Sequence, residues 1–160
     1  MIDKEFREEL LDSVNSDFEI SRGYPYPFGA TLLPGGINFA VYTPLADSVD
    51  IVLFDKCEPE ILAEFPLNPE INRTGNVWHV HIHGLDPGIR YGYRVSGSGK
   101  YTSVSEEIVL LDPYARATCG GQDWGRPLEI YRDEKNHTFR LSLIVDNRFD
   151  WEKDKAPQIP

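Results

Sequence analysis

The chain has 160 residues, 41% hydrophobic and 12% aromatic, which suits one globular domain with short additions and excludes a disordered segment. Its formal net charge is −10, from 26 acidic and 16 basic residues, so nucleic acid and anionic membrane are excluded as partners and a neutral ligand is indifferent to the balance. No apolar run approaches the roughly 20 residues of a membrane helix, and the N-terminus lacks the basic and apolar regions of an export signal, which together predict a cytoplasmic protein with Cys57 and Cys119 as reduced thiols.

Residues 3–14 are expected to form a short amphipathic helix, because Phe6, Leu10, Leu11 and Val14 recur at helical spacing among acidic residues. This helix dominates an N-terminal arm over residues 1–22. Pro25 and Pro27 then forbid a helix interior. From Gly36 onward the period is two. Ile37, Phe39 and Val41 alternate with more polar neighbours, as do Trp78, Val80 and Ile82, and Tyr91, Tyr93 and Val95. Turn residues bound each run, among them Pro34-Gly35-Gly36 and Asp86-Pro87-Gly88. Further strands are expected at 61–67, 108–111 and 141–145. Seven or so short strands predict an all-β sandwich or barrel over 23–118. Residues 119–160, punctuated by Gly120-Gly121, Pro127 and Pro157, are expected to be an irregular extension. The strand at Val49–Phe54 is apolar on both faces, so its second face needs a cover: the N-terminal helix, the C-terminal segment or another domain.

Chemistry is sparse. Gly97-Ser98-Gly99-Lys100 fails as a phosphate loop, since Arg94 holds the upstream glycine position and Tyr101 follows the lysine. His79, His81 and His83 share one strand face, but the outer two lie about 13 Å apart at the usual rise per residue, too far to share a zinc ion. A solvent-facing strand is expected there, with no metal site and no cofactor. The many acids form no recognisable pair of the kind a glycosidase needs. Among aromatics, Trp78 shares its face with Val80 and Ile82 and is expected in the core. Tyr42 faces away from Ile37, Phe39 and Val41 and is expected to be exposed. Trp124 and Trp151 fall in the irregular stretch.

Several segments, in order, resemble the N-terminal domain of isoamylase-type debranching enzymes. They are Gly23-Tyr24-Pro25-Tyr26-Pro27-Phe28-Gly29-Ala30, then Gly36-Ile37-Asn38-Phe39-Ala40-Val41-Tyr42, then Val77-Trp78-His79 with Leu85-Asp86-Pro87-Gly88-Ile89-Arg90-Tyr91-Gly92-Tyr93-Arg94-Val95. Leu110-Leu111-Asp112-Pro113-Tyr114-Ala115-Arg116-Ala117 and Val145-Asp146-Asn147-Arg148-Phe149-Asp150-Trp151 complete the set, which spans residues 23–151. The resemblance implies an immunoglobulin-like antiparallel sandwich, carbohydrate-binding module family 48, set ahead of a glycoside hydrolase family 13 barrel. That barrel carries the catalytic carboxylates and needs about 250 residues, so the chain is expected to be non-catalytic. The implied partners are α-glucan (glycogen or starch), the catalytic barrel or another protein. Carbohydrate-contact candidates are Tyr42, Trp78, Tyr93 and Trp124. Where glycogen-binding relatives carry a Trp after the second strand, this chain has Asp55-Lys56-Cys57. Where they carry Tyr-Lys-Phe it has Tyr91-Gly92-Tyr93, and Val109 stands near their second Trp. The loss of these contacts implies weak glucan affinity or none.

Overall fold

The computed structural model describes residues 18–56, 61–97, 108–120 and 140–148 and the single positions 150, 152 and 154. The helix expected over 3–14 lies outside the described residues, as do Cys57, Trp124 and Trp151. The described residues form ten strands: β1 Ile20–Ser21, β2 Gly29–Leu33, β3 Gly36–Tyr42, β4 Ser48–Phe54, β5 Ile61–Pro66, β6 Arg73–Thr74, β7 Val77–His83, β8 Arg90–Ser96, β9 Ala117–Cys119 and β10 Leu141–Leu143. They make two antiparallel sheets. The first runs β1-β7-β3-β2, with β6 also on β7; the second runs β5-β4-β8-β10-β9. The expected all-β sandwich is therefore what the chain forms.

Alternation explains the layering. In the β3–β7 ladder Ile37 lies opposite Ile82, Phe39 opposite Val80 and Val41 opposite Trp78. All six side chains fall on one face and are buried in the main core. Ile51 and Leu53 of β4 and Tyr91 and Tyr93 of β8 meet them from the second sheet. The Phe39 and Tyr91 rings cross between sheets at 5.0 Å, edge to face. Burying each such large side chain contributes about 1.5–3 kcal/mol, and a one-residue slip would turn the whole set outward.

The second face of β4 is covered. Val52 and Phe54 are fully buried and pack with Val109 and with Leu141, so the C-terminal segment supplies part of the cover. Leu141 belongs to β10, which inserts between β8 and β9. The four-residue strand expected at 108–111 is reduced to one bridge between Leu110 and Tyr93. β10 pairs with the same edge of β8 at Tyr91 and Arg90, and Leu110 meets that edge at Tyr93 alone. Pro113, lacking an N–H, ends any continuation.

Gly92 sits where this cover comes closest. A Cβ there would stand 2.5 Å from Val109 Cγ1 and 2.7 Å from the Leu110 carbonyl oxygen. Gly92→Ala is expected to destabilise the fold by about 1–3 kcal/mol through overpacking. Urea denaturation checks it, and an unchanged midpoint would show that the 108–111 segment can retreat.

Candidate functional site

The segment Leu111–Ala115 is fixed by a buried polar group. Asp112 and Pro113 open a β-turn closed by the Ala115 N–H donating to the Asp112 carbonyl at 3.1 Å, with Asp at the first turn position and Pro at the second, as that turn favours. The Asp112 carboxylate accepts from the Tyr114 N–H at 2.8 Å and from the Tyr91 hydroxyl at 2.7 Å. Its own N–H donates to Ser142 Oγ at 2.9 Å. Two strands, β8 and β10, and the turn itself thus converge on one residue that is only 4% exposed. Burial raises the Asp112 pKa against the lowering effect of the Tyr114 and Tyr91 hydrogen bonds. Burial, and then the Asp112 charge, push the Tyr91 and Tyr93 hydroxyls well above the ordinary tyrosine range, so both stay protonated.

Outside this latch lies a ridge of aromatic rings. Phe28 packs on Tyr114 with centroids 4.7 Å apart, and Tyr26 meets Phe28 edge-on at 6.1 Å. Gly29 allows the approach: its φ is +84°, a left-handed value that suits glycine, and a Cβ there would stand 2.6 Å from the Tyr114 carbonyl oxygen. Tyr26 is 76% exposed, and Tyr24 is exposed nearby in sequence. Tyr24 is tied to β3, its N–H donating to Asn38 Oδ1 and its carbonyl accepting from Asn38 Nδ2. Sequence reasoning quoted both segments of this ridge but did not join them. The available signal was the absence of any Asp, Glu, Lys or Arg from Gly23 to Ala46 in a chain that is 26% charged.

The aromatic candidates from the sequence fall in different places. Tyr42, at the end of β3, is 46% exposed. Trp78 is fully buried in the inter-sheet core, with the Arg73 guanidinium 5.1 Å from its ring centroid. Tyr93 is also buried, on the core face of β8. Trp124 lies outside the described residues. The structure therefore does not gather Tyr42, Trp78 and Tyr93 into one exposed platform.

The histidine face differs from the solvent-facing strand expected. His79 is buried, because the chain around Arg22 lies over it. Its Nδ1 is 2.8 Å from the Arg22 carbonyl oxygen and its Nε2 2.8 Å from Thr74 Oγ1. A carbonyl can only accept, so Nδ1 carries a proton and donates it to the Arg22 carbonyl, and in the neutral ring Nε2 accepts from the threonine hydroxyl. His81 and His83 stack at 4.3 Å, and His83 Nε2 lies 3.0 Å from Ser21 Oγ. Burial first, and His83 second, lower the His81 pKa. Among the described residues no group of three His, Cys, Asp or Glu side chains is placed to hold a metal ion.

An open groove of about 600 Å³ lies at the β2–β3 turn, lined by Leu32, Leu33, Pro34, Leu85, Asp86 and Arg148 among others. Among the described residues Asp86 is the one carboxylate lining it. Glycoside hydrolysis needs two, about 5–9.5 Å apart, and the described lining does not present such a pair. Arg148 is engaged with Asp146 at 2.6 Å, and that pairing holds the Asp146 carboxyl down to about 2. No helix of the described residues is long and apolar enough to cross a membrane, and Cys119 is a free thiol.

With this geometry in place, the comparisons with known proteins are direct. The family carbohydrate-binding module 48 (isoamylase N-terminal domain) matches residues 27–115. Isoamylase SU1, chloroplastic, of Zea mays is 41% identical over 141 residues, which are 82% of this chain and 18% of that protein. The glycogen debranching enzyme of Salmonella typhi is 32% identical over 150 residues, 89% of this chain and 22% of that one. The chain thus spans about a fifth of the length of these relatives. Among solved structures, the catalytic module of the pneumococcal glycogen-degrading virulence factor SpuA, in complex with an inhibitor, superposes with a TM-score of 0.57 at 19% identity. It covers 85% of this chain and 18% of that one. The Group B Streptococcus pullulanase SAP in complex with maltotetraose gives 0.52 at 22% identity, over 77% of this chain and 15% of that one. At such identities the likeness is one of fold.

Proposed function

This chain belongs to the carbohydrate-binding module 48 (isoamylase N-terminal domain) family, and from that premise we propose that it serves as a non-catalytic accessory domain of an α-glucan debranching glycoside hydrolase. In this reading it docks on a catalytic barrel or a protein partner and contacts glycogen or starch weakly at most. One observation carries it: the family match at residues 27–115 falls on strands of both sheets of the sandwich, in a chain that spans about a fifth of the debranching enzymes it resembles. The reading places the chain in the cytoplasm, where thiols such as Cys119 stay reduced; the plant relative is named chloroplastic.

The weak-glucan part rests on burial. Sugar rings stack on exposed aromatic faces, and the core positions of Trp78 and Tyr93 leave neither ring a free face. The alternative reading is a stand-alone α-glucan-binding module or a regulatory interaction domain of glycogen metabolism, and exposed Tyr42 is the observation that favours glucan contact. Two assays separate these. The pure chain is expected to release no reducing ends from glycogen or pullulan; measurable release would refute the accessory role. In glycogen-containing native gels its mobility is expected to be nearly unchanged. Strong retardation, abolished by Tyr42→Ser, would establish the glucan-binding alternative instead.

A further inference from the structure

We infer that the ridge of Tyr26, Phe28 and Tyr114 is the surface by which this module seats against the catalytic domain of an isoamylase-type enzyme; the inference rests on the accessory-domain reading above. The ridge is made of two segments far apart in sequence and in contact in space. Both are held from beneath, one by the turn anchored on Asp112 and the other by the close approach of Gly29 to Tyr114. The Phe28 and Tyr114 rings are therefore placed against each other by the fold itself, which lowers the entropy lost on docking.

Its chemistry selects the kind of partner. No charged residue occurs from Gly23 to Ala46, and the one charge in Leu111–Ala115, Asp112, is turned inward and buried. Aromatic enrichment with depletion of charge marks the core of a protein interface. A sugar site needs convergent polar side chains beside the stacking ring to take the hydroxyls. Here the residues adjoining the rings in sequence are Pro25, Pro27, Gly29, Pro113 and Ala115, and the Asp112 carboxylate is committed to Tyr91 and Tyr114. The partner is taken to be the rest of a longer enzyme because the matched stretch is 18% and 22% of the two relatives, so such a module has most of a longer polypeptide beside it.

The test uses Isoamylase SU1 of Zea mays produced without the stretch this chain matches, titrated calorimetrically with the 160-residue chain. Binding is expected, and the double substitution Tyr26→Ser, Tyr114→Ser is expected to weaken it by about tenfold or more, while Ile71→Ser, at an exposed apolar side chain outside the ridge, leaves it unchanged. The urea midpoint of each variant is measured alongside; should the double variant unfold early, Tyr26→Arg replaces it, because that side chain is 76% exposed. No binding by the unaltered chain would overturn the accessory reading together with this inference. Equal binding by the unaltered and substituted chains would leave the reading standing and reject the ridge. Loss of glycogen retardation on substitution would make the ridge a glucan site, and conversion of a dimer to a monomer in sedimentation would make it a self-association face; either result overturns the inference.

Discussion

Trp78→Ala is expected to lower the stability of the fold by about 3–5 kcal/mol, the cost of a large aromatic cavity in a packed interior. The side chain is fully buried, lies opposite Val41 across the β3–β7 ladder, and shares the core with Ile37, Phe39 and Ile82. Trp78→Phe, which keeps a ring in place, is expected to cost less than the alanine change. Urea unfolding followed by circular dichroism measures both. The same variants decide a functional question, because Trp78 is also the residue type that sugar-binding sites favour. A Trp78→Ala protein that keeps its urea midpoint and loses its residual retardation in glycogen gels would move this residue from core to binding site.

Asp112→Ala should cost about 2–4 kcal/mol, since it leaves the buried Tyr91 hydroxyl and the Tyr114 N–H without their acceptor. Its pH dependence is the sharper test, made against Asp112→Asn. Burial raises the folded-state pKa above the ordinary value of 3.8, so the native state holds this proton more tightly than the unfolded chain does. The contribution is fully present below pH 3.8 and is lost as pH rises through the raised pKa. The stability of the natural chain minus that of the Asn variant is therefore expected to fall between about pH 4 and the raised pKa and then to level off. A difference that grows with pH over that window would mean that hydrogen bonding outweighs burial at this carboxyl.

How much of this was legible in the sequence depends on the range of the interaction involved. The β3, β4, β7 and β8 strands could be read directly, because a period-two pattern such as Ile37-Phe39-Val41 is a local property that the buried face of a sheet enforces. The double-faced apolar character of β4 correctly announced a cover. Its composition, Val109 with Leu141, could not be read, since those residues are brought to Val52 and Phe54 only by the order of strands in the second sheet. The same limit hid the aromatic ridge, which exists only after Gly29 and the Asp112 turn meet. His79 shows the converse failure. Alternation put it on the face away from the core, but that face is overlaid by the chain near Arg22, so it is buried and bonded on both ring nitrogens.

The position of β10 has a consequence for how the molecule is made. Strand order β5-β4-β8-β10-β9 puts the last strand of the described residues inside the sheet rather than at its rim. Domains generally fold as units during synthesis. Among the described residues β9 pairs with Leu141–Leu143 alone, so a sandwich formed without that segment would leave β9 without a ladder and the edge of β8 beside Tyr91 open.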